Sequence, residues 1–155
     1  MTRVGNDNWI MAYVHVAHDC QVGSNVIFAN CTQLAGHVQV GDWAILAGFT
    51  GVHQFVRIGA HSMTSVSSVL LQDMPPYVMA SGSPAQPRSI NAEGLKRRGF
   101  SSAAITAIRR AFKTLYRQGH ALDEARALIA AEAAQTPELA ILAEFIAEPG
   151  RGIIR

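Results

Sequence analysis

From Val4 onward the chain repeats every six residues. Val4, Ile10, Val16, Val22, Phe28, Leu34, Val40, Leu46, Val52 and Ile58 are all apolar. Hydrophobic residues make up 49% of the chain, so ten in succession is about a one-in-a-thousand event in any one register. Six is not a helical period. It is three times the strand period of two, so the same face of a short strand returns after each corner. Repeats of this length mark a parallel β-helix. Three such sides close an 18-residue triangular coil. The aliphatic series is expected to fill its interior, each side chain contributing about 1.5–3 kcal/mol. Residues two before that series are small or β-branched, from Val14 and Cys20 to Val56 and Ser62. Gly5, Gly23, Gly41 and Gly59 lie 18 apart. They are expected to mark one corner of each coil, where backbone with φ > 0 is easiest without a Cβ.

The register is expected to fade after Ile58, because Thr64 stands where an aliphatic residue is due. The proline-rich stretch from Asp73 to Pro87 then reads as an exit loop. From Asn91 the pattern turns helical. Ser101 or Ser102 caps a helix carrying Ile105, Ile108, Phe112, Leu115 and Tyr116, with Gly119 ending it. Leu122 to Ala134 gives a second helix, and Thr136-Pro137-Glu138 caps and opens a third. The expected organisation is a β-helix of about four coils over residues 1–72, a connecting loop over 73–90, and an α-helical part over 91–155.

Composition limits what such a chain can be. High hydrophobicity with only 15% charged residues excludes disorder and implies a surface partly covered by other subunits. No apolar run approaches the ~20 residues of a membrane span, and no signal peptide is expected. Cys20 and Cys31 are too few for a disulfide framework, so a cytoplasmic protein is expected. The net charge of +2 is unevenly spread. Lys96 to Arg117 holds seven bases and no acid, a solvated face or a docking patch for an acidic partner. No nucleic-acid partner is expected.

Five of the six histidines lie in the repeat half: His15, His18, His37, His53 and His61. None belongs to the apolar series. In a β-helix, residues 18 apart stack on neighbouring coils, about 4.8 Å away. His18 therefore lies under Gly36 and then Gln54, and Asp19 under His37, with His53 beside Gln54. Such a cluster suits acyl transfer to a hydroxyl. Histidine takes the hydroxyl proton, worth ~10²–10⁴ in rate. Asp19 holds its tautomer. A backbone N–H at a glycine stabilises the oxyanion, worth roughly 10²–10³. The alternatives are surface histidines that stack without function, and a zinc site.

The repeat resembles the hexapeptide-repeat acyltransferases, whose coils are left-handed. His15-Val16-Ala17-His18-Asp19-Cys20, Leu34-Ala35-Gly36-His37, Val52-His53-Gln54-Phe55, Asp73-Met74-Pro75-Pro76-Tyr77 and the segment from Asn91 to Phe100 are similar to the UDP-N-acetylglucosamine O-acyltransferases of lipid A biosynthesis. The resemblance runs to Arg155. It implies a mainly β fold: a left-handed parallel β-helix followed by a small C-terminal α-helical domain. It implies transfer of a 3-hydroxyacyl group from acyl carrier protein to the 3-hydroxyl of UDP-N-acetylglucosamine, by a homotrimer with sites between subunits. By resemblance His18 is the general base, Asp19 its partner and Gly36 the oxyanion donor. His15, His37, His53, Gln54, Asn91, Glu93, Arg97 and Arg98 are then substrate contacts. No cofactor or metal is expected, and the basic stretch gains acyl carrier protein as its acidic partner.

Two departures from the family pattern carry expectations. Family members have several coils before the first one here, so the chain is expected to be shortened at its N-terminus and to lack part of the nucleotide-sugar site. Thr64-Ser65-Val66-Ser67-Ser68-Val69 falls where relatives tend to have glycine, and Val66 is expected to narrow the acyl groove toward shorter chains. The competing readings are the related N-acyltransferase, a non-catalytic trimeric binding module, and a zinc hydratase.

Overall fold

The computed structural model describes residues 1–155. Two-residue strands recur every six residues from Arg3–Val4 to Val69–Leu70. Each pairs in parallel with a strand 18 residues away, and the stacks form three faces. The first face holds Arg3–Val4, Gln21–Val22, Gln39–Val40 and Arg57–Ile58. The second holds Trp9–Ile10, Ile27–Phe28, Ile45–Leu46 and Met63–Thr64, and the third His15–Val16, Gln33–Leu34, Gly51–Val52 and Val69–Leu70. The result is a left-handed parallel β-helix of about four turns.

Its interior follows the six-residue series. Val22, Phe28, Leu34, Val40, Leu46, Val52 and Ile58 are all buried, whereas Val4 and Ile10 of the first coil are exposed. The second inward series, from Cys20 to Ser62, sits at the corners and is wholly buried. Corner space explains its small side chains. Its hydroxyls are satisfied locally: Thr50 Oγ1 donates to the Ala47 carbonyl (2.7 Å) and Ser62 Oγ to the Gly59 carbonyl (2.6 Å). The repeat does not fade at Thr64. That residue takes an interior position with no exposure, and its hydroxyl lies 2.8 Å from that of Thr50. A hydrogen-bonded pair replaces an aliphatic one, and the coil continues to the buried Leu70.

The corner glycines have a different reason from the one expected. Left-handed backbone falls two residues later, on Asp7, Asn25, Trp43 and His61, and at the other corners on residues such as Tyr13, Asp19, His37 and Phe55, with φ between 57° and 66°. Each such residue costs roughly 1–2 kcal/mol. The cost is offset by stacking, because the N–H donates to a carbonyl on the coil below: His37 to His18 (3.0 Å), Phe55 to Gly36 (3.0 Å), His61 to Asp42 (2.9 Å). The glycines are required by close approach instead. A Cβ on Gly41 would stand 2.6 Å from the Ala60 nitrogen and 2.9 Å from its Cα, and one on Gly59 would strike Pro76. Gly41→Ala is therefore expected to cost about 1–3 kcal/mol, read as a lower midpoint in thermal unfolding. An unchanged midpoint would show that the coils can part without penalty.

The stretch 73–90, expected as a connecting loop, is largely a β-hairpin. Val78–Gly82 adds to the second face beside Met63–Thr64 and pairs antiparallel with Ala85–Ile90. The unpaired edge of the last coil favours strand there, since hairpin backbone satisfies its donors and acceptors. Four helices follow: α1 (Ala92–Arg97), α2 (Ser102–Tyr116), α3 (Leu122–Ala133) and α4 (Ala140–Ala147). Ser101 caps α2, accepting from the Ala104 N–H at 3.1 Å. Its buried stripe includes Ala104, Ile108, Ala111, Phe112 and Leu115. Thr136 makes no side-chain cap; Pro137–Leu139 is a 3₁₀ turn before α4. The tail returns to the prism, where Asp73 N–H donates to the Gly152 carbonyl (2.8 Å) and Ile154 N–H to that of Asp73 (2.9 Å). Buried residues of prism and helices form one continuous apolar cluster. No helix is long and apolar enough to cross a membrane.

Arg57 joins these parts. The Asp73 carboxylate has no exposure and accepts from the Arg57 backbone N–H (2.8 Å) and from its Nε (3.0 Å). The Arg57 Nη1 reaches Glu148 (3.0 Å), and its guanidinium lies 4.4 Å from the centre of the Phe145 ring.

Candidate active site

The expected histidine cluster forms on the corner between the third and first faces. His18 and Asp19 occupy one turn, Gly36 and His37 the turn above, and Gln54 and Phe55 the next. His18 Nδ1 lies 3.1 Å from Asp19 Oδ2. A carboxylate only accepts, so Nδ1 carries the proton and Nε2 keeps a lone pair. A carboxylate such as Asp19 is ionised at neutral pH, so it presents only acceptors to His18. The His18 ring lies against Gly36, where a Cβ would stand 2.7 Å from both Cε1 and Nε2. Glycine is what lets the imidazole approach the backbone above it.

His37 packs edge-on against His18 (5.1 Å between centroids, 89°) and stacks on Phe55 (4.7 Å, 15°). Its Nε2 is 4.0 Å from Asp19 Oδ2. The ligand atoms of His18, Asp19 and His37 all lie within 4.8 Å of one another. Zinc needs ligands about 3.3 Å apart, so His37 would have to close further to complete such a site. Gln54 is exposed one coil above Gly36, His53 Nδ1 lies 3.1 Å from the Gln54 carbonyl, and His15 is exposed on the third face. The cluster is open: the His18 side chain is 73% exposed. A groove of about 480 Å³ runs across the first face between α4 and Gln21, Gln39 and Arg57, and no member of the cluster lines it.

Asn91, Glu93, Arg97 and Arg98 are not brought to this corner. They lie on and around α1, which docks at the corner between the first and second faces, beside Trp43 and His61. Glu93 and Arg97 are exposed. Arg98 is instead half-buried: its Nη1 donates to His61 Nδ1 (3.1 Å) and its guanidinium sits 5.2 Å from the Trp43 ring centre. Val66 is 67% exposed on the remaining corner, between the second and third faces. Sequence reasoning missed the Trp43–His61–Tyr77–Phe100 cluster that carries α1. The 18-residue stacking of His61 on Trp43 was available as a signal; Tyr77 was not, because it lies 16 residues after His61, on a last coil two residues shorter than the others.

Residues 73–154 match the family model described as UDP-N-acetylglucosamine O-acyltransferase, domain 2, and residues 1–36 match the bacterial transferase hexapeptide model. The acyl-[acyl-carrier-protein]–UDP-N-acetylglucosamine O-acyltransferase of Thiobacillus denitrificans is 61% identical over all of this chain, which covers 60% of that protein. The enzyme of the same name from a Janthinobacterium is 58% identical, with 61% of it covered. The crystal structure of the Moraxella catarrhalis UDP-N-acetylglucosamine O-acyltransferase superposes with a TM-score of 0.97 at 39% identity, covering 100% of this chain and 60% of that one. The Francisella novicida UDP-N-acetylglucosamine acyltransferase gives 0.96 at 42% identity, covering 98% and 56%. The chain thus spans about three-fifths of the length of the curated relatives it matches. With a family model over more than half of its length and a histidine–aspartate corner stacked under a glycine, this chain belongs to the UDP-N-acetylglucosamine O-acyltransferase family.

Proposed function

We propose that the chain carries an O-acyl-transfer site that moves a 3-hydroxyacyl group from acyl carrier protein to the 3-hydroxyl of UDP-N-acetylglucosamine, in the cytoplasm. The observation that carries this reading is His18, oriented by Asp19 at 3.1 Å and seated against Gly36. His18 Nε2 takes the sugar hydroxyl proton as the oxygen attacks the thioester carbonyl. The Gly36 N–H donates to the oxyanion. Collapse breaks the carbon–sulfur bond, and His18 returns its proton to the departing thiol of the carrier. His15, His37, His53 and Gln54 contact substrate around this corner.

Asn91, Glu93, Arg97 and Arg98 lie on another corner of the same prism, so they complete the site from a neighbouring copy. A homotrimer with sites between subunits follows. Arg109 and Lys113 of α2 and Arg117 just after its end recur every four residues, and with Arg88 of the hairpin they line a groove that holds no acid. That groove receives the acidic carrier, and the carrier's KM is expected to rise with ionic strength.

The test is transfer from 3-hydroxyacyl carrier proteins of graded chain length to UDP-N-acetylglucosamine, followed by product mass. Val66 narrows the acyl groove in this reading, so Val66→Gly is expected to shift the preferred donor to a longer chain. An unchanged preference sinks the role of Val66. No product from a folded oligomer sinks the catalytic reading and leaves a binding module of the same fold.

A further inference from the structure

α1 spans six residues, far below the length at which a helix holds itself together in water. Something outside it must fix its position, and both of its ends lead to one residue. At the N-terminal end, the Asn91 side chain caps the helix by accepting from the Gly94 N–H (3.3 Å) and donates its own N–H to the His61 carbonyl (3.3 Å). At the C-terminal end, Arg98 Nη1 donates to His61 Nδ1 (3.1 Å). Arginine has no acceptor, so Nδ1 must be the unprotonated nitrogen of a neutral ring. The environment keeps it so: burial, and then the Arg98 charge, hold the His61 imidazole down to about 4.

The ring is itself locked. It lies parallel to Trp43 (6.3 Å, 5°) and Tyr77 (5.7 Å, 19°), and Phe100 meets it edge-on (5.2 Å, 74°). Trp43, His61 and Tyr77 all hold left-handed backbone on one corner, which aims their rings in a column.

We propose that His61 is the positioning residue for the Asn91–Arg98 segment: its carbonyl and its ring Nδ1 clip the two ends of α1 to the prism and set the direction of Arg98. Its functional consequence rests on the reading above, in which α1 carries substrate contacts. His61 touches no reacting atom. It acts through α1, so its removal is expected to weaken binding of the nucleotide sugar and to leave the chemical step nearly intact.

Two variants separate positioning from mere packing. His61→Phe keeps an aromatic ring in the column and loses the acceptor; phenylalanine already holds left-handed backbone at Phe55. His61→Asn loses the ring but places Oδ1 where Nδ1 stood, in a residue suited to φ > 0. Hydrogen exchange of the 92–98 amides is read in the full-length chain, together with steady-state kinetics. For His61→Phe the exchange is expected to quicken about tenfold or more, and the KM for UDP-N-acetylglucosamine to rise about tenfold with kcat within threefold. His61→Asn is expected within threefold of the parent on both measures. Exchange in His61→Phe equal to the parent overturns the proposal, as does slower exchange in His61→Phe than in His61→Asn. The exchange arm decides whether or not the parent turns over. Absent turnover in the parent therefore counts against the proposed function and not against the role of His61.

Discussion

His18→Ala is expected to lower kcat for acyl transfer by roughly 10²–10⁴ with little change in either KM. The side chain removed is 73% exposed and lies outside the core, so the fold and its melting midpoint should be unaffected. The loss is specific to the lone pair on Nε2. Asp19→Asn keeps the ring in place but removes the charge that fixes its tautomer, and is expected to lose less. Gly36→Ala pushes a Cβ to within 2.7 Å of the ring, so it should resemble His18→Ala in kcat although no titrating group is touched. Parallel measurements on the three variants distinguish a general base from a group that only binds substrate. Removing a binding group raises KM, whereas removing a base lowers kcat. Activity within tenfold of the parent in His18→Ala would remove this residue from the chemistry.

The second large effect concerns stability. Arg57→Met is expected to destabilise the chain by about 3–5 kcal/mol, because it leaves the Asp73 carboxylate buried without its cationic partner. In thermal unfolding this is a midpoint lower by on the order of 10 °C for a chain of this size. The cause is the orphaned charge, and the double variant Arg57→Met/Asp73→Asn tests it. Removing that charge should recover part of the loss, a coupling that independent sites would not show. A double variant no more stable than Arg57→Met alone would assign the loss to the packing of Arg57 on Phe145 and Glu148 instead.

These two sites differ in how far they could be read in advance. The prism was legible because its physics is periodic. One inward residue in six sets the strand, three strands close a coil, and stacking by 18 residues places His18 under Gly36 and Asp19 under His37 without further information. The 18-residue glycine series was legible as a corner, but its cause was not. Only the coil-to-coil distance at Gly41 and Gly59 shows that the Cβ, and not φ, is what those corners exclude. Thr64 misled for a related reason: a hydroxyl breaks an apolar pattern in sequence, yet in the fold it finds Thr50 one coil away.

What the sequence by itself determined is therefore what a local period fixes: the β-helix, its core and the stacked histidine corner by the six-residue repeat, and the existence of the later helices by their apolar spacing. What only the tertiary structure decided lies where the repeat stops. The unpaired edge of the last coil turns 78–90 into a hairpin, the tail returns to Asp73, and α1 comes to rest on His61. A periodic register fixes each residue's neighbours by counting. Beyond its last turn, the neighbours are set by which edge, charge or ring is left unsatisfied, and that is a property of the folded surface.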